Sequence, residues 1–159
     1  MKIDVSGDEI KIYDFDAQEC FRIARKLEEE SIGFYKGLLE KLPQAKNGIK
    51  DVIGKMLQEE ELHLAFFRDL LEKYHDSDDS DMLEEMVDSK VISPLSRANL
   101  EEVLCNREEA IKLGLAVEKR SVEFYEKLLE NTEDRAGREA LQKIISEEIR
   151  HSERLFALA

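Results

Sequence analysis

The sequence predicts an all-α protein, a four-helix bundle made of two helical hairpins joined by a long crossover. Three observations carry this. The composition is rich in Glu, Lys, Leu and Ala, with two prolines and seven glycines in 159 residues, which suits long helices better than a sheet. Apolar residues recur at helical spacing over four stretches. Two of those stretches repeat the other two. A chain of this length forms one domain with room for a real core.

Taken in order, residues 1–16 alternate weakly (Ile10, Ile12, Phe15) and then stop. They read as an extended arm with at most one short strand, packed outside the bundle. Asp16-Ala17-Gln18-Glu19 has the form of a capping box and opens the first helix, 17–42. Its stripe is Phe21, Ala24, Leu27, Ser31, Phe34, Leu38 and Leu42, with Glu28 and Tyr35 on the same seam. Pro43 ends it, because proline disfavours α conformation in the residue before. The second helix, 46–75, buries Ile53, Met56, Leu57, Leu64, Phe67, Leu70, Leu71 and Tyr74, with Glu60 and His63 inside the stripe.

Residues 76–105 form the crossover, an acidic loop with a short helix near 82–87 and a break at Ser93-Pro94. Asp76, Asp78 and Ser80 imitate the start of a calcium loop. The match fails where glycine and glutamate are needed, at Asp81 and Val87. A connection this long returns the chain to the other end of a bundle. Asn106-Arg107-Glu108-Glu109 is a second capping box, opening the third helix, 106–131. That helix carries Ile111, Leu115, Glu118, Ser121, Phe124, Tyr125, Leu128 and Leu129. After a turn at Asn131–Asp134, the fourth helix, 134–158, carries Leu141, Ile144, Ile145, Glu148, His151, Leu155 and Leu158.

The bulk properties exclude several functions. A formal net charge of −13 repels phosphate backbones and anionic lipid, so neither nucleic acid nor membrane is expected as a partner. No stretch approaches the roughly 20 apolar residues of a membrane span, and the N-terminus has no signal-peptide core, so a cytoplasmic location is expected. Cys20 and Cys105 form no C-x-x-C, which rules out a zinc-ribbon or rubredoxin-type module within these residues. Each reads as a small buried or half-buried side chain.

The repeat is explicit. Residues 28–40 read EEESIGFYKGLLE and residues 118–130 read EKRSVEFYEKLLE. Glu28 matches Glu118, Ser31 Ser121, Phe34 Phe124 and Tyr35 Tyr125 without a gap. Lys119 and Arg120 stand where the first copy has Glu29 and Glu30, so position 28 alone of that acidic triplet keeps its carboxylate. Helices two and four share Glu-x-x-His, at Glu60/His63 and Glu148/His151. Positions three apart share a helix face. A third instance, Glu72/His75, sits at a helix end with no partner layer and is rejected.

The pairs are level with one another. Glu28 lies 15 residues before Pro43 and Glu60 lies 17 after it, each roughly 22–26 Å from the turn at about 1.5 Å per residue. Glu118 and Glu148 each lie 15 residues from Glu133. Four glutamates and two histidines thus converge on one core layer. Four acids cannot all stay ionised in a dry interior without compensation, and two divalent cations supply it.

This pattern over 17–75 and 106–159 resembles the ferritin-like, rubrerythrin-type non-haem diiron proteins. The resemblance implies a ferritin-like bundle in which Glu28 and His63 bind one metal, Glu118 and His151 the other, and Glu60 and Glu148 bridge. Tyr35 and Tyr125 match the family's E-x6-Y tyrosines; nearly two turns along, each hydrogen-bonds a ligand carboxylate. The implied cofactor is two iron ions, with manganese an alternative, since carboxylate and imidazole suit either. The implied activity is reduction of hydrogen peroxide or dioxygen, with iron oxidation, storage or delivery, or a non-catalytic bundle with a vestigial site, as rivals. Two departures stand out. Rubrerythrins have a further Glu three residues after the third-helix ligand; here it is Ser121, so the redox-linked ligand exchange of that residue is not carried over. The family's rubredoxin domain is missing, so electrons are expected from a separate donor protein, to a chain expected to pair as a homodimer.

Overall fold

The computed structural model describes residues 1–7, 9–41, 47–73 and 92–159. Four long helices dominate, α1 (Ala17–Lys41), α2 (Asn47–Glu72), α4 (Arg107–Glu130) and α5 (Arg135–Leu158), with a short α3 (Leu100–Cys105) before α4. A two-stranded hairpin, β1 (Lys2–Ser6) and β2 (Glu9–Tyr13), precedes them. The fold is the expected all-α bundle. Several readings lie outside the described residues: the turn at Pro43 with Leu42, Tyr74 and His75, the calcium-like run from Asp76, and the short helix at 82–87.

The capping signals act as the sequence implies. Asp16 Oδ1 accepts from Glu19 N at 2.7 Å. Asn106 Oδ1 accepts from Glu108 N at 3.0 Å and Glu109 N at 3.3 Å. Asp134 Oδ2 accepts from Gly137 N at 2.7 Å and starts α5. Each cap satisfies N–H groups that the first helical turn leaves without a partner.

α1 packs along α2, and α4 along α5. Tyr35 of α1 meets Glu118 of α4, and Glu28 meets Tyr125, so residue numbers on the two helices run in opposite directions. α1 and α4 are therefore antiparallel, as the long crossover requires. The apolar core falls into two clusters. One gathers Phe21, Leu27, Phe67, Phe124, Tyr125, Leu141 and Ile144. The other gathers Phe34, Tyr35, Leu38, Ile53, Met56, Ile111 and Leu155.

Three expectations need correction. The N-terminal arm is a full antiparallel hairpin, with Ile3 opposite Ile12 and Val5 opposite Ile10. Ile3 and Val5 alternate as Ile10 and Ile12 do, and Gly7 takes a positive φ of 59° after β1, a conformation glycine adopts without strain. Ile10 is 2% exposed and joins the first cluster, while Arg120 Nη2 donates to Gly7 O at 3.0 Å. The late crossover is also more ordered than its composition implies. Ser93 Oγ accepts from Leu95 N to cap a 3-10 turn at Pro94–Arg97, and α3 follows. α3 docks on α1, with Leu104 over Gly37, where a Cβ would lie 2.8 Å from Leu104 Cδ1 and the leucine tip would have to shift. Finally, Cys20 is buried but Cys105 is exposed, at the end of a helix that has no buried residue; both are free.

Ile10→Ala should lower stability by about 2–4 kcal/mol in chemical denaturation. Tyr13→Ala, at 46% exposure, should change it by less than about 0.5 kcal/mol. Equal, small effects would detach the hairpin from the cooperative core.

Candidate metal centre

Between the two apolar clusters lies a polar layer. α1 contributes Glu28 and Tyr35, α2 Glu60 and His63, α4 Glu118 and Tyr125, α5 Glu148 and His151. All eight are at most 2% exposed. The structure thus brings together every residue singled out from the sequence for this layer.

The ligand-type atoms fall into two groups, each within 4.8 Å: Glu28, Glu60, His63 and Glu148, and Glu60, Glu118, Glu148 and His151. Glu60 and Glu148 belong to both. His63 Nδ1 lies 2.9 Å from Glu148 Oε1, 3.4 Å from Glu60 Oε2 and 3.8 Å from Glu28 Oε2. His151 Nδ1 lies 3.4 Å from both Glu60 Oε1 and Glu118 Oε2, and 3.7 Å from Glu148 Oε2. The imidazoles stack at a centroid distance of 6.1 Å. Despite these approaches, Glu60 Oε1 and Oε2, His63 Nδ1, Glu118 Oε2, Glu148 Oε1 and His151 Nδ1 have no hydrogen-bond partner. Buried polar atoms rarely go unpaired. Unpaired oxygens and nitrogens facing one another fit divalent cations of intermediate hardness.

The outward sides of the two histidines, Glu28 and Glu118 are engaged. His63 Nε2 pairs with Glu147 Oε2 at 2.9 Å, and His151 Nε2 with Glu59 Oε2 at 2.8 Å. Each carboxylate comes from the helix facing its histidine. It holds a proton on Nε2 and leaves Nδ1 free to bind inward, the usual role of the outer partner of a metal-binding histidine. Sequence reasoning did not single out Glu59 and Glu147. The repeat contained the signal, since Glu-Glu-x-x-His recurs at 59–63 and 147–151. The tyrosines also cross: Tyr35 OH donates to Glu118 Oε1 and Tyr125 OH to Glu28 Oε1. Each serves the glutamate of the other half because α1 and α4 run antiparallel.

Electrostatics follow from burial. Desolvation, then the charges of Glu60 and Glu148, raise the Glu28 carboxyl well above the usual range. Desolvation with Glu148 and Glu60 does the same to Glu118. Burial alone would raise Glu148, but flanking His151 and His63 hold it far below. Burial opposes the charge on His63, yet Glu148 and Glu60 push it up to about 10, and His151 rises likewise beside Glu118, Glu148 and Glu60. Burial raises both tyrosines, which therefore stay neutral donors. Without metal, the layer compensates its acids with protons on imidazole and carboxyl. Cations bound here would replace those protons and release them.

The sign for stability is definite. A group whose folded pKa is raised stabilises the protein below its unfolded pKa, and that stability is lost as pH rises through the folded value. For His63 the window runs from roughly 6.5 to about 10, and the raised Glu28 and Glu118 act in the same direction. Glu148 is depressed, and its contribution is lost only at strongly acid pH. Metal-free protein should therefore lose stability steadily from pH 6.5 to 10 in urea titrations. A flat or rising profile would contradict this charge arrangement.

Among curated proteins and among solved structures, none matches this chain. The family model described as Rubrerythrin matches residues 19–159, which takes in the four bundle helices except the first two residues of α1, and every residue of the polar layer. The chain belongs to the rubrerythrin family.

Proposed function

We propose that the protein is a non-haem diiron oxidoreductase that reduces hydrogen peroxide, or dioxygen, with electrons from a separate donor protein. The observation that carries this reading is that Glu60 and Glu148 are common to both ligand groups. Glu60 and Glu148 would be shared between two ions, with Glu28 and His63 completing one set and Glu118 and His151 the other. Two irons held there would supply two electrons to one O–O bond, as needed to turn peroxide and two protons into two waters.

The chain's residues prepare that chemistry. Tyr125 and Tyr35 each occupy one oxygen of Glu28 and Glu118, fixing the direction of the other. Glu147 and Glu59 fix the tautomer of His63 and His151. The two apolar clusters flank the layer and keep bulk water from a reactive site. Ser31 and Ser121 are both buried at the position three residues past Glu28 and Glu118. At that position neither terminal ligand has a carboxylate to exchange with, and the two halves match there.

Elemental analysis should find two metal ions per chain, iron in the active form. Glu60→Ala and Glu148→Ala should each lose this stoichiometry. They should also lower peroxide turnover by more than the roughly 10–100-fold typical of losing an outer partner. Unchanged turnover would remove the bridging role. Mineral uptake in a large assembly would instead favour iron storage.

A further inference from the structure

The repeat that builds the centre breaks beside it. Residues of α5 correspond to residues of α2 shifted by 88 positions: Glu147 to Glu59, Glu148 to Glu60, His151 to His63. Three residues beyond each histidine, α5 has Arg154 where α2 has Phe66. Arg154 Nη1 donates to Glu59 Oε2, the same oxygen that pairs with His151 Nε2. This ion pair is largely shielded, its side chains 23% and 17% exposed.

The other half differs. Glu147 Oε2 pairs with His63 Nε2. Its neighbouring cations approach the other oxygen, Oε1, with Arg150 at 3.6 Å and Lys143 at 4.0 Å. Those two side chains are 50% and 73% exposed, so water and salt screen them. Phe66, in the place of Arg154, brings no charge.

We propose that Arg154 makes the two imidazoles unequal ligands, so that the position served by Glu28 and His63 binds a divalent cation more tightly than the one served by Glu118 and His151. A bound imidazole gains basicity when its outer N–H is strongly accepted. Glu147 accepts with its oxygen otherwise free of a guanidinium, whereas Glu59 shares its oxygen with one, a strong charge-assisted bond. The guanidinium charge also opposes a cation on its own side of the centre. Arg154 is a positioning residue, acting through Glu59 on His151, and its effect is ordered loading of a centre whose inner ligands are symmetric.

This inference rests on the dimetal reading and is tested apart from turnover. Zn2+ is titrated into full-length, metal-free protein labelled with 15N-histidine, followed by NMR and calorimetry. The chain has three histidines, so the signals are few. His63 should shift over the first equivalent and His151 over the second, with affinities at least about tenfold apart, the scale of an outer-partner effect. Arg154→Phe copies Phe66, and Arg154→Gln removes the charge at similar length. Either should bring the two steps together by strengthening the second. Arg154→Lys should keep most of the separation. Phe66→Arg should also merge the steps, by weakening the first. Simultaneous or reversed filling in the wild type overturns the proposal, as does a separation unchanged in both Arg154→Phe and Arg154→Gln. Absence of Zn2+ binding to the wild type overturns the dimetal reading itself.

Discussion

The burial of four carboxylates and two imidazoles in one layer constrains everything else in this fold. A buried, unpaired charge costs several kcal/mol, and here six ionisable groups share one interior. Inward atoms of Glu60, His63, Glu118, Glu148 and His151 are left without hydrogen bonds, while Tyr35, Tyr125, Glu59 and Glu147 hold the outer atoms of Glu118, Glu28, His151 and His63. The bundle around them is organised to bear that cost. The apolar core divides into a cluster on each side of the ligand layer. Each cluster contributes one tyrosine to the polar layer.

Antiparallel pairing of the two halves turns a sequence repeat into a site with approximate two-fold symmetry. Equivalent residues reach across rather than along their own half, in the tyrosine bonds and in the histidine–carboxylate struts alike. The symmetry has limits with physical consequences. Arg154 holds the place in α5 that Phe66 holds in α2, so the outer electrostatics are uneven even though the inner donors match. The β-hairpin and the late crossover also have no counterparts in each other's sequence. The hairpin packs on α4 and the first cluster, and the turn at Pro94–Arg97 with α3 packs on α4 and α1. No helix among the described residues is long and apolar enough to cross a membrane, consistent with helices that bury one face each.

The sequence by itself determined the four long helices, the caps of the first and third, and the residues of the central layer. Helical periodicity and capping are local, and the repeat removes chance by requiring the same register twice. Glu28 was separable from Glu29 and Glu30 only because the second copy keeps one acid, and Glu72 was separable from Glu60 by level alone. Tertiary structure decided which partner each side chain meets. Tyr35 finds Glu118 rather than its own Glu28, and His63 finds Glu147, because those contacts depend on the sense in which distant helices run. The role of Arg154 likewise depends on Glu59, which only the packing of α2 against α5 places beside it. The hairpin, α3 and the exposure of Cys105 belong to the same class, since short elements are stabilised by what they pack against rather than by their own periodicity.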